Sequence, residues 1–206
     1  MTLKWSLYIG SPGGIRISVH WTFLILVAWI FFSQYQIGED LMQGLRGVIF
    51  IVALFACVTF HELGHAFAAQ HFQIKTKSIT LLPIGGLAQM EKLPEEPRQE
   101  LWVAIAGPLV NIGIIFLLSP VLLLHTAPEW ITYIGSAVPE QSKFLLTTVR
   151  PIEGFLFMLI LLNAMLAVFN LLPAFPMDGG RILRALLSIK VGRLRATRLA
   201  TYIGQT

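Results

Sequence analysis

The sequence predicts an all-α polytopic membrane protein with at least four transmembrane helices and one short β-hairpin-like cytoplasmic or re-entrant segment. Three observations carry this. Of 206 residues, 55% are hydrophobic and only 13% are charged, against about 25% charged in soluble domains. Four stretches (15–32, 45–71, 101–124 and 155–172) are apolar over the roughly 17–25 residues that a helix needs to cross a bilayer. Positive charges also fall on alternate connecting segments. The apolar content excludes a disordered chain, and the single cysteine, Cys57, excludes a disulfide scaffold. The formal net charge of +4 is accounted for by topology, so no nucleic-acid partner is expected.

The first stretch begins late and has no small-residue cleavage site, so it reads as a retained span rather than a signal peptide. Lys4 and Arg16 flank it, and the loop after it carries Glu39, Asp40 and Arg46. The loop after the second span holds Lys75, Lys77, Lys92 and Arg98. The loop after the third holds Lys143 and Arg150 over a longer stretch, and the tail carries six further cations from Arg181 to Arg198. This pattern puts the N-terminus, the second loop and the tail inside, so the second and fourth spans end at the same cytoplasmic level. Residues 74–92 are rich in β-branched side chains around Pro83-Ile84-Gly85-Gly86 and read as two extended strands about a turn. Residues 126–150, with Trp130 and Tyr133, are expected to form an outer loop with an interfacial helix. Residues 195–206 read as the start of another helix cut short. The chain is therefore expected to be one transmembrane domain, residues 1–206, with its core at about 45–187 and further C-terminal spans missing.

The chemistry lies in His61-Glu62-Leu63-Gly64-His65, near the cytoplasmic end of the second span. Four residues along an α-helix turn through about 400°, so the two imidazoles are only about 40° apart on one face. That spacing suits two nitrogen ligands of one zinc ion. Glu62, on the flank of the same face, can act as general base towards an attacking water without being a ligand. Histidines and a glutamate are costly inside an apolar span and usually mark function. The alternative is that they snorkel at the membrane interface, which requires no such spacing.

A zinc site needs a third protein ligand and an open position. His71, six residues beyond His65 on a continuing helix, points about 240° away and reads as an interfacial histidine. Asp178 is the better candidate. It follows Asn170-Leu171-Leu172-Pro173-Ala174-Phe175-Pro176-Met177 and precedes Gly179-Gly180-Arg181, where prolines and glycines break the helix just past the fourth span. Broken backbone at membrane depth is tolerated where it lines protein or a water-filled cavity. The competing role for Asp178 is to cap a helix beginning at Gly179.

HELGH in a span, then Gly107-Pro108-Leu109-Val110-Asn111, then NLLPAFPMDGGR, resembles the site-2 protease family of intramembrane zinc metalloproteases. The resemblance covers the second to fourth spans. It implies one zinc ion held by His61, His65 and Asp178, with Glu62 as catalytic base and Asn111 near the scissile carbonyl. It also implies hydrolysis of a peptide bond in or near the transmembrane helix of a membrane-protein substrate, within the lipid bilayer of a prokaryotic cell membrane. His20 occurs where members lacking a PDZ domain often carry a histidine. Many of that subgroup continue into a pair of CBS domains, which are not seen in these 206 residues.

The residues agree with that picture without requiring all of it. Asn111 falls in the inner half of the third span, where its amide can donate to a developing oxyanion or simply bond a neighbouring helix. Asn170 carries the same ambiguity, and for Asn163 the structural role is preferred. Pro108 lets the third helix bend around the site. Gly64, Gly85, Gly86, Gly179 and Gly180 leave room for a polar path or for close packing. His20 serves as an outer gate or as an interfacial histidine. Segment 74–92 offers a strand edge to an unwound substrate, or plugs the cytoplasmic mouth. The alternative function is a zinc-binding membrane protein without proteolysis, either a transporter or an inactive scaffold. Transport needs ligands but no general base, so the presence of Glu62 favours the enzyme. Oligomeric state is not legible.

Overall fold

The structure, a computed structural model, describes residues 5–92, 94–135 and 151–204. Helix α1 (Trp21–Gly38), α2 (Leu41–His71), α3 (Pro97–Gly135) and α4 (Pro151–Asn170) are followed by two shorter helices, α5 (Asp178–Val191) and α6 (Arg193–Ile203). The first four are long and apolar enough to cross a membrane. Large side chains such as Trp29, Phe32, Phe116 and Leu117 remain exposed along them, as expected of helices whose outer surface faces lipid rather than water.

Two residues join α1 to α2. Glu39 takes the left-handed conformation (φ 48°), and Asp40 caps α2 by accepting from the Met42 N–H at 3.1 Å, which doubles α2 back along α1. The helices approach closely because α2 presents glycine there: a Cβ on Gly44 would lie 2.9 Å from the Phe31 ring.

Four strands form one sheet in the order β1 (Ser6–Gly10), β2 (Arg16–His20), β3 (Thr76–Leu82), β4 (Gly85–Met90). The β1–β2 and β3–β4 pairs are antiparallel, and β2–β3 is parallel, bridged by the α1–α2 hairpin. The sheet packs on the C-terminal half of α2. Ile15 and Ile79 bury against Leu63 and Ala66, while Val19 and Leu81 bury against Phe23 and Phe55. Phe23 and Phe55 meet edge to face at 4.6 Å. This packing fixes β3 and β4 beside the HELGH turn.

The structure corrects the sequence reading at three places. Residues 16–20 of the expected first span are strand β2, and the helix begins at Trp21. The short alternating run Arg16–His20 pairs with strands on both sides, and that pairing satisfies its backbone more fully than an extra helical turn at an end already capped by His20. The hairpin expected at 74–92 is present, but as half of a four-stranded sheet. Helix α3 continues past 124 to Gly135, so the helix expected within the outer loop is, over these residues, an extension of the third span rather than a separate interfacial helix; once nucleated, a helix propagates cheaply. The rest of that loop, 136–150, lies outside the described residues. The helix expected to start near 195 is α6.

Candidate metal centre

One face of α2 brings His61 and His65 together, both buried. Their Nε2 atoms are 3.1 Å apart, with the rings nearly perpendicular at 86°. Asp178, the first residue of α5, turns its Oδ2 to within 3.0 Å of His65 Nε2 and 3.3 Å of His61 Nε2. The cap of α5 is Met177, and no side-chain capping bond is made there, so the capping role considered for Asp178 is not what its carboxylate does. Among the described residues, these three are the group that could hold a metal ion. Tetrahedral zinc with bonds of ~2.0–2.1 Å separates its donors by ~3.3 Å. The three separations of 3.0–3.3 Å fit that edge, and two imidazoles with a carboxylate are a zinc donor set.

Orientation comes from the surroundings. His65 Nδ1 donates to the Val103 carbonyl at 2.7 Å, which sets the ring so that Nε2 faces the Asp178 carboxylate and is the nitrogen a metal would take. Helix α3 passes so close that a Cβ on Gly107 would overlap the His65 ring and lie 2.8 Å from His61 Cε1. Only glycine fits at that crossing. A Cβ on Gly179 would likewise run into the Leu171 and Leu172 carbonyls, so the loop before α5 folds directly over that helix's first turn. Burial by itself would raise the Asp178 carboxyl, but its hydrogen bonds to His61 and His65 outweigh that and hold it well below the usual carboxylate range.

Further from the donors, Arg184 binds Glu100 through Nε at 2.9 Å and also through Nη2, and its guanidinium lies 5.4 Å above the Phe175 ring. Glu100 is buried near the start of α3, so this pair ties the helix carrying Asp178 to the helix carrying Val103 and Gly107. Both metal-facing elements are thus referenced to α3.

A cavity of about 1340 Å³ opens at the donors and is lined by Glu62, Gly85, Gly86, Asn170 and Arg181, with apolar walls from α1, α2 and α4. Gly86 of β4 faces Glu62 so closely that a Cβ there would lie 2.7 Å from Glu62 Cγ. The β4 edge therefore forms the wall beside the carboxylate. Asn111 is fully buried one turn beyond Gly107, and neither amide atom has a partner. It does not line the cavity. Asn163 donates to the Leu159 carbonyl within its own helix. His20 accepts from the Thr22 N–H as the cap of α1 and is not part of the cavity wall. His71 lies at the end of α2 in a separate groove with Arg98 and Trp102.

Sequence reasoning missed Val103, Gly107, Arg181 and the Glu100–Arg184 pair as contributors. Two signals were available: a glutamate in the first turn of an otherwise apolar span, and an arginine one turn after the candidate ligand.

A profile of peptidase family M50 matches residues 49–206. The chain is 38% identical over 205 residues to a zinc metalloprotease of Methanocaldococcus jannaschii, covering 99% of this chain and 52% of that protein. It is 32% identical over 153 residues to stage IV sporulation protein FB of Bacillus subtilis, covering 72% of this chain and 44% of that protein. The solved structure of the site-2 protease from Methanocaldococcus jannaschii matches with a TM-score of 0.58 at 38% identity, over 98% of this chain and 80% of that one. The chain spans about half the length of the curated relatives it matches.

Proposed function

The chain belongs to peptidase family M50, and from that membership we propose that it is the membrane-embedded catalytic unit of a zinc endopeptidase that cuts membrane proteins in or near their transmembrane helices. Four membrane-capable helices and the family make it an integral membrane protein. The proposed orientation, with the N-terminus and the cavity mouth on the cytoplasmic side of a prokaryotic cell membrane, rests on the distribution of Lys and Arg. The observation that carries the functional reading is the meeting of His61 Nε2, His65 Nε2 and Asp178 Oδ2 within 3.3 Å, at the end of a cavity that Glu62 also lines.

In this mechanism His61, His65 and Asp178 would hold the metal, and zinc when bound would supply Lewis-acid polarisation of a carbonyl and acidification of water. Glu62 takes the proton of the attacking water and passes it to the leaving nitrogen. The cavity admits that water from the cytoplasmic side. A peptide bond inside a helix is shielded by its own hydrogen bonds and side chains, so the substrate unwinds before attack. The β4 edge beside Glu62 is where the extended chain would add as a strand, with Gly85 and Gly86 leaving room for it. Asn170, also on the wall, would contact the substrate. Asn111 would donate its unpartnered amide to the developing oxyanion once the substrate widens that region. His20 would act only indirectly, through the start of α1.

The test uses the purified chain in detergent with a dye-quenched single-span transmembrane peptide. Glu62→Gln is expected to keep its zinc and lose at least a hundredfold in cleavage rate, in line with removal of a general base. Chelation should abolish wild-type cleavage, and zinc should restore it. Cleavage by zinc-loaded Glu62→Gln at the wild-type rate would refute the mechanism.

A further inference from the structure

Arg181 has no part in the mechanism above, yet its guanidinium lies beside the candidate ligand Asp178 at the cavity wall. It follows Asp178 by one turn of α5, with a side chain only 17% exposed. Its Nη1 lies 3.8 Å from Asp178 Oδ1, while Oδ2 of the same carboxylate faces the two imidazoles. Its Nη2 is buried and has no hydrogen-bond partner. The residue lines the cavity together with Glu62 and Gly86.

An arginine keeps its charge at any ordinary pH, and its N–H groups only donate. A buried donor without an acceptor is costly, so it is retained where an occupant completes it. The occupant of this cavity, on the peptidase reading, is an extended polypeptide, whose regularly spaced acceptors are main-chain carbonyls. The planar fork of the guanidinium lets one nitrogen serve the ligand carboxylate while the other serves that carbonyl. A lysine ammonium at this place keeps the charge but cannot reach two acceptors in that geometry.

We propose that Arg181 is a substrate-binding residue: as the substrate enters, the guanidinium turns outward so that Nη2, buried at the cavity wall without an occupant, donates to a main-chain carbonyl beside the metal site, while Nη1 stays by Asp178 Oδ1 and leaves Oδ2 to the metal. This rests on the peptidase reading, and the test separates the two. Two probes are used on zinc-loaded protein. Acetohydroxamate has a metal-binding group and no peptide. A succinyl-hydroxamate dipeptide carries the same group followed by main-chain carbonyls. Affinities come from calorimetry in detergent, and zinc content from elemental analysis.

Arg181→Lys should retain zinc, bind acetohydroxamate within about twofold of wild type, and bind the dipeptide probe about tenfold or more weaker, the loss expected for one charge-assisted hydrogen bond. In the unaltered chain, a dipeptide probe with its first amide carbonyl replaced by methylene should bind weaker by a similar factor, and Arg181→Lys should no longer distinguish the two dipeptides. Equal weakening of acetohydroxamate and the dipeptide would assign Arg181 to Asp178 alone and overturn the proposal. Unchanged affinity for both in Arg181→Lys would overturn it as well. Zinc-loaded wild type that binds neither hydroxamate overturns the peptidase reading, and this proposal falls with it.

Discussion

Replacing Gly107 by alanine adds one methyl group at the crossing of α3 with the metal-facing imidazoles. The new Cβ would sit 2.8 Å from His61 Cε1 and closer still to the His65 ring. Carbon atoms at rest are ~3.5–4.0 Å apart, so relief at His61 alone needs a displacement of about 0.7 Å, and more at His65. Zinc sites tolerate about 0.2 Å in their ligand distances. Either the imidazoles rotate away from Asp178, or α2 and α3 separate and the bond from His65 Nδ1 to the Val103 carbonyl stretches. Loss of such an orienting bond by itself lowers metal affinity about 10- to 100-fold. We therefore expect zinc affinity to fall at least a hundredfold. Intrinsic helix propensity works the other way, since alanine favours a helix by about 1 kcal/mol over glycine, so poor helix formation cannot explain a loss. Gly113→Ala is the control: it lies on the same helix with nothing within 4 Å of its added Cβ. The assay is competition between the purified protein and a zinc-binding dye. Gly107→Ala protein that binds zinc within threefold of the Gly113→Ala control would refute the reasoning.

Two further outcomes follow from the same geometry. Gly86→Ala places a Cβ 2.7 Å from Glu62 Cγ without touching the donors, so cleavage should fall about 10- to 100-fold while zinc content stays at wild-type level; loss of zinc would show that β4 supports the ligands rather than the carboxylate. Glu100→Gln leaves the Arg184 guanidinium buried without its anion and should destabilise the detergent-solubilised protein by about 3 kcal/mol in chemical denaturation, whereas Glu100→Gln with Arg184→Met should recover much of that; an additive double variant would mean that the two charges do not act as a pair.

The pattern of success and failure has a physical basis. His61, Glu62 and His65 were legible because helical periodicity is local: a spacing of four residues determines a shared face whatever else the chain does. Asp178 was legible through charge cost and topology, because a carboxylate just beyond a broken span calls for a partner and alternating spans bring it to the level of the histidines. Strand β2 was not. Its five residues follow apolar Ile15 and lead into an apolar helix, and only β1 on one side and β3 on the other make a strand of them. His20 shows the same limit: its place near a membrane face leaves an outer gate and a structural histidine both open, and only the fold shows its ring capping α1.

Read alone, then, the amino-acid sequence determined the four membrane-capable helices, the strand pair at 74–92 and the three candidate metal ligands with the glutamate beside them, since hydropathy, turn chemistry and helical phase are properties of short segments. The tertiary structure alone decided which backbone carbonyl orients His65, why position 107 admits no side chain, how Glu100 and Arg184 anchor the helix that carries Asp178, and that Arg181 keeps a buried nitrogen free at the cavity wall. These depend on where residues 38 to 113 positions apart in the chain come to rest against each other, to within a few tenths of an ångström. Close packing sets that distance, and no local pattern encodes it.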